Sequence, residues 1–354
     1  MLRTITSKGW NMTTTDGKLL LIVCAPKRPP DAPMPQYETS VEVVNIQDFD
    51  EQERVERAHE VDAILAIDHL ADMIPDLHQF PNIKAILSIS VGFDNFRPEM
   101  VPEGCLFVNT HGHEQPIADW VIMAMLMFSR DVNGVDKAFR TQTLRPLFEM
   151  GGMKPDMRDA TVGVIGLGRV GRSIVETCRK FDMRCLVAMR TPISESEAHA
   201  AGIAQVYPIA DLDKMLAECD YVVPTIPANA DSYGMFGEAQ FQATKNTTFF
   251  INIARAEILD EKSIYEALTD GTIAGAAIDV WWNEDDLGIG SGDPERQKWS
   301  KYPFLELENV IMSPHRSSFS TAMMKRKQSD LAQQVDRLNR GEPLINIVPE
   351  LSKG

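Results

Sequence analysis

Three side chains in this sequence could together hold an anion and move a proton. Arg255 closes the run FINIAR, Glu284 ends the run GAAIDVWWNE, and His315 closes IMSPH. Each reads as the C-terminal end of a strand, where open α/β sheets bind their ligands. A guanidinium can bind a carboxylate and polarise the carbonyl next to it. An imidazole can give a proton to that carbonyl oxygen. A carboxylate hydrogen-bonded to the imidazole would orient it and keep it protonated near neutral pH. Singly, each residue also has a plain reading: Arg255 as a surface charge, Glu284 as the start of an acidic loop, His315 as a loop residue after Pro314.

Carbonyl reduction by such a set needs a hydride source, and the stretch from Thr161 to Arg190 is patterned to hold one. It reads TVGVIGLGRVGRSIVETCRKFDMRCLVAMR. An apolar strand, Thr161 to Ile165, runs into Gly166, Gly168 and Gly171 in the spacing G-x-G-x-x-G. Apolar residues then recur with a helical period at Val170, Ile174, Val175, Cys178 and Phe181, and a second strand follows from Cys185 to Met189. Glycines between a strand and a helix of one βαβ unit are the setting of a dinucleotide fingerprint. Gly166 allows the tight turn, Gly168 admits a pyrophosphate to the backbone, and Gly171 lets the helix pack close to the sheet. Arg169 and Val170 open that helix, where free N–H groups and the dipole favour an anion.

An acidic residue about 20 positions on would bind the ribose 2′-hydroxyl of NAD. Met189 stands there instead, followed by Arg190 and Thr191, and Asp182 precedes the strand. A missing carboxylate removes repulsion of a 2′-phosphate, and a guanidinium can bind it bidentately. The expectation is therefore NADP(H), with NAD(H) left open because Arg190 could also stack on the adenine.

The 354 residues suffice for two domains, and the net charge of -16 argues against nucleic-acid or anionic-membrane partners. No stretch is long enough to span a membrane. Five scattered cysteines, mostly in apolar runs, read as buried thiols of a reducing compartment, not as a disulfide framework or metal site. The first 17 residues, with few acids, read as a flexible extension or a weak transit peptide.

Strands are expected at Lys18 to Cys24, Val41 to Ile46, Val61 to Ile67, Ile83 to Ile89 and Cys105 to Asn109, with helices at Asp50 to Glu60 and Leu70 to Phe80. From Ile117 to Phe128 the residues are apolar almost all round, which predicts a buried helix in a core or a subunit interface. Beyond the dinucleotide unit come a helix at Asp211 to Glu218, strands at Asp220 to Thr225 and Thr248 to Ile253, and a helix at Asp260 to Thr269. Strands at Ala274 to Val280 and Val310 to Met312 follow, then a helix at Thr321 to Leu338. The alternation predicts an α/β protein with parallel sheets.

These segments together resemble the D-isomer-specific 2-hydroxyacid dehydrogenase family, over roughly Leu19 to Pro349. FINIAR, GAAIDVWWNE and SPHRSS resemble that family's segments carrying its catalytic arginine, glutamate and histidine, which makes Arg255, Glu284 and His315 the expected triad. CDYVVPTIP resembles the strand lining the nicotinamide side, so Thr225 and Pro227 are expected at the cofactor, with Ile253, Ala254 and Asp279. ILSISVGFDNF resembles the substrate loop, which puts Val91 and Gly92 N–H groups on the substrate carboxylate with Arg255. That segment is most similar to the glyoxylate/hydroxypyruvate reductase branch.

The resemblance implies two Rossmann-like doubly wound parallel-sheet domains with a cleft between them. Residues 18–114 plus 318–354 would form a discontinuous substrate-binding domain, and residues 115–317 the NAD(P)-binding domain. It further implies a homodimer and reduction of a small 2-oxo acid to a D-2-hydroxy acid; a cytoplasmic location is expected, in keeping with the reducing compartment that the cysteines suggest. Related transcriptional corepressors keep the triad, so a nucleotide-sensing binding protein is the alternative. Ala256, Asp285, Arg316 and Ser317 depart from the usual family residues, and the stretch between Glu284 and His315 is long.

Overall fold

Residues that are apolar on both faces of a strand need a layer on each side, and both sheets of this protein are built that way. The computed structural model describes residues 5–6, 9–11, 19–24, 35–66, 74, 76–93, 96–143, 156–283 and 299–353. Glu284 and the long stretch that follows it lie outside the described residues, as do residues 70–73 and 75 of the expected helix at Leu70 to Phe80, whose described end holds a short 3-10 helix, Leu77–Gln79. The chain divides into two compact units, Met1–Gly112 with Ser320–Gly354, and His113–Phe319. The second unit thus interrupts the first.

The first unit contains β1 (Ile5–Thr6), β2 (Gly9–Asn11), β3 (Leu19–Cys24), β4 (Val41–Asn45), β5 (Val61–Ala66), β6 (Ala85–Ser88) and β7 (Leu106–Val108). They lie in the order β1-β2-β4-β3-β5-β6-β7. β3 to β7 are parallel, whereas β1 and β2 join antiparallel at the β4 edge. Part of the expected N-terminal extension therefore contributes strands. Ile64, Ile86 and Phe107 face one core, while Leu21, Ala63 and Leu87 face the other. The latter is closed by Leu331 and Val335 of the helix Thr321–Arg340. That helix is pinned by Asp336, buried, whose carboxylate accepts from Glu38 N, Thr39 N and Thr39 Oγ1 at 2.6–3.1 Å. Burying each large apolar side chain contributes roughly 1.5–3 kcal/mol, which is what returns the chain's last helix to its first strands.

The second unit contains β8 (Thr161–Ile165), β9 (Arg184–Met189), β10 (Gln205–Pro208), β11 (Tyr221–Pro224), β12 (Phe249–Asn252), β13 (Gly275–Ile278) and β14 (Val310–Met312). Their order is β10-β9-β8-β11-β12-β13-β14, and every pairing is parallel. Chain direction across the sheet reverses between β8 and β11, the topological switch point at which such sheets bind nucleotides. Alternate residues serve the two layers: Phe249 and Ile251 face one core, Phe250 the other.

The helix Glu114–Ser129 buries Ile117, Ala118, Val121, Ile122, Ala124 and Met125, mainly against the helix Arg169–Arg179. It is not covered all round in this chain, since Met123 is 41% exposed. The helix after the glycines ends at Arg179, so Phe181 falls outside its period and is partly exposed.

Candidate active site

β8 delivers the chain into a turn that only glycine fits well. Gly166 has φ 94°, the left-handed region that side chains avoid. A Cβ on Gly171 would lie 2.3 Å from the Gly166 carbonyl oxygen, so the helix could not pack where it does. Gly168 serves differently. Its φ of -72° suits any residue, but a Cβ there would meet nothing within 4 Å, so the backbone at the helix start faces open space. No side chain caps that helix at Gly168, which leaves the first-turn N–H groups of Arg169, Val170 and Gly171 without a capping acceptor. The residues present therefore fit a dinucleotide pyrophosphate.

Thr225, expected at the cofactor, lies behind this turn. Its hydroxyl is 3.0 Å from both the Ile165 and Gly166 carbonyl oxygens, which braces the loop. Pro227 is exposed just beyond it, and Ile253 and Ala254 are buried after β12. Arg190 and Thr191 follow β9 with exposed side chains, and the Arg190 guanidinium stands 3.9 Å from the Asp231 carboxylate.

Arg255 and His315 are held by residues at the ends of neighbouring strands. Asn252, buried at the end of β12, accepts from Ala254 N through Oδ1 at 3.2 Å. Its Nδ2 donates to the Arg255 carbonyl at 2.9 Å. The Arg255 side chain is half-buried, and Nη1 donates to the Ala254 carbonyl at 2.7 Å. The Asn252 carbonyl in turn accepts from Asp279 N at 3.0 Å, so the next support starts where the first ends.

Asp279 is fully buried after β13. Its carbonyl accepts from His315 N at 2.7 Å. Its two carboxylate oxygens accept from Arg316 N at 2.7 Å and Ser317 N at 2.9 Å. Three successive backbone N–H groups thus converge on one residue. His315 sits at φ 52°, a conformation that costs a non-glycine residue roughly 1–2 kcal/mol. The clamp on Asp279 offsets that cost. The sequence reading put Asp279 at the cofactor, whereas here both of its oxygens organise the histidine loop.

In the other unit, Val91 and Gly92 follow β6. Asn109 Nδ2 donates to the Val91 carbonyl at 2.9 Å, and Thr110 Oγ1 to the Ile89 carbonyl at 2.6 Å. Among the described residues neither the Val91 nor the Gly92 N–H has an acceptor within the chain, so both can donate to an anion. The sequence reading missed Asn252 and Asp231. An asparagine at the end of FIN was a signal for the first, and nothing in the local sequence singled out the second.

Residues 122–317 match the family described as D-isomer specific 2-hydroxyacid dehydrogenase, NAD binding domain. The chain belongs to the D-isomer-specific 2-hydroxyacid dehydrogenase family. It is an NAD(P)-dependent oxidoreductase of the two-sheet α/β type. A glyoxylate reductase from Korarchaeum cryptofilum is 30% identical over 305 residues, spanning 83% of this chain and 84% of that protein. Glyoxylate/hydroxypyruvate reductase B from Pectobacterium carotovorum is 29% identical over 245 residues, spanning 68% and 71%. The NADPH-dependent glyoxylate/hydroxypyruvate reductase of Sinorhizobium meliloti, solved with NADP and sulfate, superposes with a TM-score of 0.72. That likeness covers 96% of this chain and 100% of that one at 20% identity. Among the described residues no helix is long and apolar enough to cross a membrane.

Proposed function

We propose that this dehydrogenase reduces a small 2-oxo acid of the glyoxylate or hydroxypyruvate kind to the D-2-hydroxy acid, with NADPH preferred. The observation that carries the reading is the pair of linked supports, Asn252 and Asp279 at the ends of the adjacent strands β12 and β13, which hold Arg255 and the His315 loop.

In this reading the unit His113–Phe319 is the cofactor domain and the interrupted unit is the substrate domain. NADPH, when bound, supplies the hydride. Arg255 binds the substrate carboxylate and polarises the neighbouring carbonyl. The N–H groups of Val91 and Gly92 hold the same carboxylate. His315 gives its proton to the carbonyl oxygen as the carbon is reduced, and takes it back in the reverse direction. Glu284 keeps His315 protonated. Arg190 holds the 2′-phosphate, since Met189 offers no carboxylate to repel it. The relatives' activities support this reading over the nucleotide-sensing alternative. The protein works in the cytoplasm, as a homodimer in which the exposed side of the helix Glu114–Ser129, at Met123, meets its mate.

The test is initial rates with glyoxylate and hydroxypyruvate, each with NADPH and with NADH, for the native chain and for Arg255→Ala. Turnover that prefers NADPH and drops at least about a hundredfold in kcat/KM on losing the anchor is expected. Unchanged turnover in Arg255→Ala would overturn the assignment.

A further inference from the structure

Arg190 does not wait for its anion alone. Asp231 Oδ2 lies 3.9 Å from Arg190 Nη1, and both side chains are 85% exposed. The distance is beyond hydrogen bonding, so the pair is coulombic. The two partners differ in how they are held. Asp231 sits in a tight turn whose backbone is fixed on several sides. Asn229 Oδ1 accepts from Asp231 N at 2.9 Å and from Ser232 N at 3.2 Å. The buried Ser232 donates its hydroxyl to the Pro227 carbonyl at 2.7 Å and accepts from Asn229 N at 2.9 Å. Gly234 N and Phe236 N are tied to the Glu257 and Ile258 carbonyls. The Asp231 backbone therefore has a fixed address, and its short side chain keeps the charge near it, while the long Arg190 side chain can turn.

We infer that Asp231 is a built-in competitor of the cofactor's adenosine 2′-phosphate, an internal counter-ion that Arg190 must leave to bind that group. The inference rests on the proposed 2′-phosphate role of Arg190. A phosphate carries about two charges at pH 7 and takes a guanidinium bidentately, so it displaces a monodentate carboxylate at this distance. Asp231 then remains close to the phosphate as a like charge. Both effects weaken NADPH and leave NADH, which lacks the phosphate, untouched. The carboxylate thereby narrows the preference for NADPH that Arg190 creates, and Asp231 is a specificity-determining residue. Exposed pairs of this kind are weak and salt-screened, so the effect is a few-fold.

The experiment is fluorescence titration of the full chain with NADPH and with NADH, at low and high salt, for the native protein, Asp231→Asn and Arg190→Ala. Asparagine keeps the size of the side chain and every backbone bond of the turn. Asp231→Asn should tighten NADPH by about two- to five-fold at low salt, lose most of that gain at high salt, and leave NADH within error. If NADPH binding does not tighten, or if both cofactors shift equally, the competitor role is overturned. Arg190→Ala separates this from the underlying reading. Weakened NADPH there with no gain in Asp231→Asn sinks only the role of Asp231. Unchanged NADPH binding in Arg190→Ala sinks the 2′-phosphate reading and this inference with it.

Discussion

Replacing Asp279 by Asn tests whether a buried carboxylate supports the histidine loop or the cofactor. The native carboxylate accepts two backbone N–H bonds, at 2.7 and 2.9 Å, in a fully buried position. Hydrogen bonds to a charged acceptor are worth roughly 1.5–3 kcal/mol each. Asparagine has one carbonyl oxygen and can keep one of the two; its NH₂ group then faces the other N–H, donor against donor. The loss is one charge-assisted bond, or about 2–3 kcal/mol with the unpaired donor included. That exceeds the roughly 1–2 kcal/mol by which the left-handed backbone of His315 is strained. The loop should therefore relax and carry the imidazole off its position. A displacement of about 1 Å at a reacting group costs on the order of 10²-fold in rate. We expect kcat to fall by about a hundredfold on glyoxylate or hydroxypyruvate, with the fold retained and NADPH affinity changed by less than about threefold. Steady-state rates, cofactor titration and urea unfolding of the same preparation read the three quantities apart. A stable variant with near-native kcat would refute the reasoning. So would one that loses NADPH affinity at unchanged kcat, because the carboxylate would then serve the cofactor.

A methyl group at Gly171 would stand 2.3 Å from the Gly166 carbonyl oxygen, a backbone atom that cannot swing aside. Gly171→Ala should cost about 1–3 kcal/mol by overpacking and weaken both NADPH and NADH in titrations; native affinity for either would show that the helix does not bear on the turn as described. The thiols should be inert. Burial pushes Cys105 and Cys219 up to about 12, Cys185 to about 11, and Cys178 also upward. A raised thiol pKa means the reactive thiolate is scarce below that value, so at pH 8 a disulfide reagent should titrate at most one thiol, Cys24, of the five in the native chain. Full denaturation should expose all five. Rapid reaction of two or more in the native protein would contradict the packing around β7 in the first unit or around the second sheet.

What the sequence disclosed, and what it hid, follows from the range of the forces involved. The β8-turn-helix unit was legible because its glycines and apolar period act within about 20 residues. β10 was not, since only Tyr207 among its four residues is buried and an edge strand needs little apolar pattern. The helix Val132–Arg140 was missed for a related reason: it buries no residue and follows Asp131, itself left-handed. Arg255 and His315 stood out because each closes a strand, but their supports did not. Asp279 reaches Arg316 N and Ser317 N only because β13 and β14 are neighbours in the sheet. Asp231 reaches Arg190 only because a turn after β11 folds beside the end of β9. Catalytic candidates carry their chemistry in their own side chains and so announce themselves in a sequence. The residues that aim them, or that compete with their ligands, act through pairings the sheet creates. In this enzyme that second group comprises a buried asparagine signalled only by its place at the end of FIN, a buried aspartate that the resemblance put at the cofactor, and an exposed aspartate that nothing in the local sequence marks. Substitutions at these three positions should therefore separate binding, positioning and cofactor choice from one another.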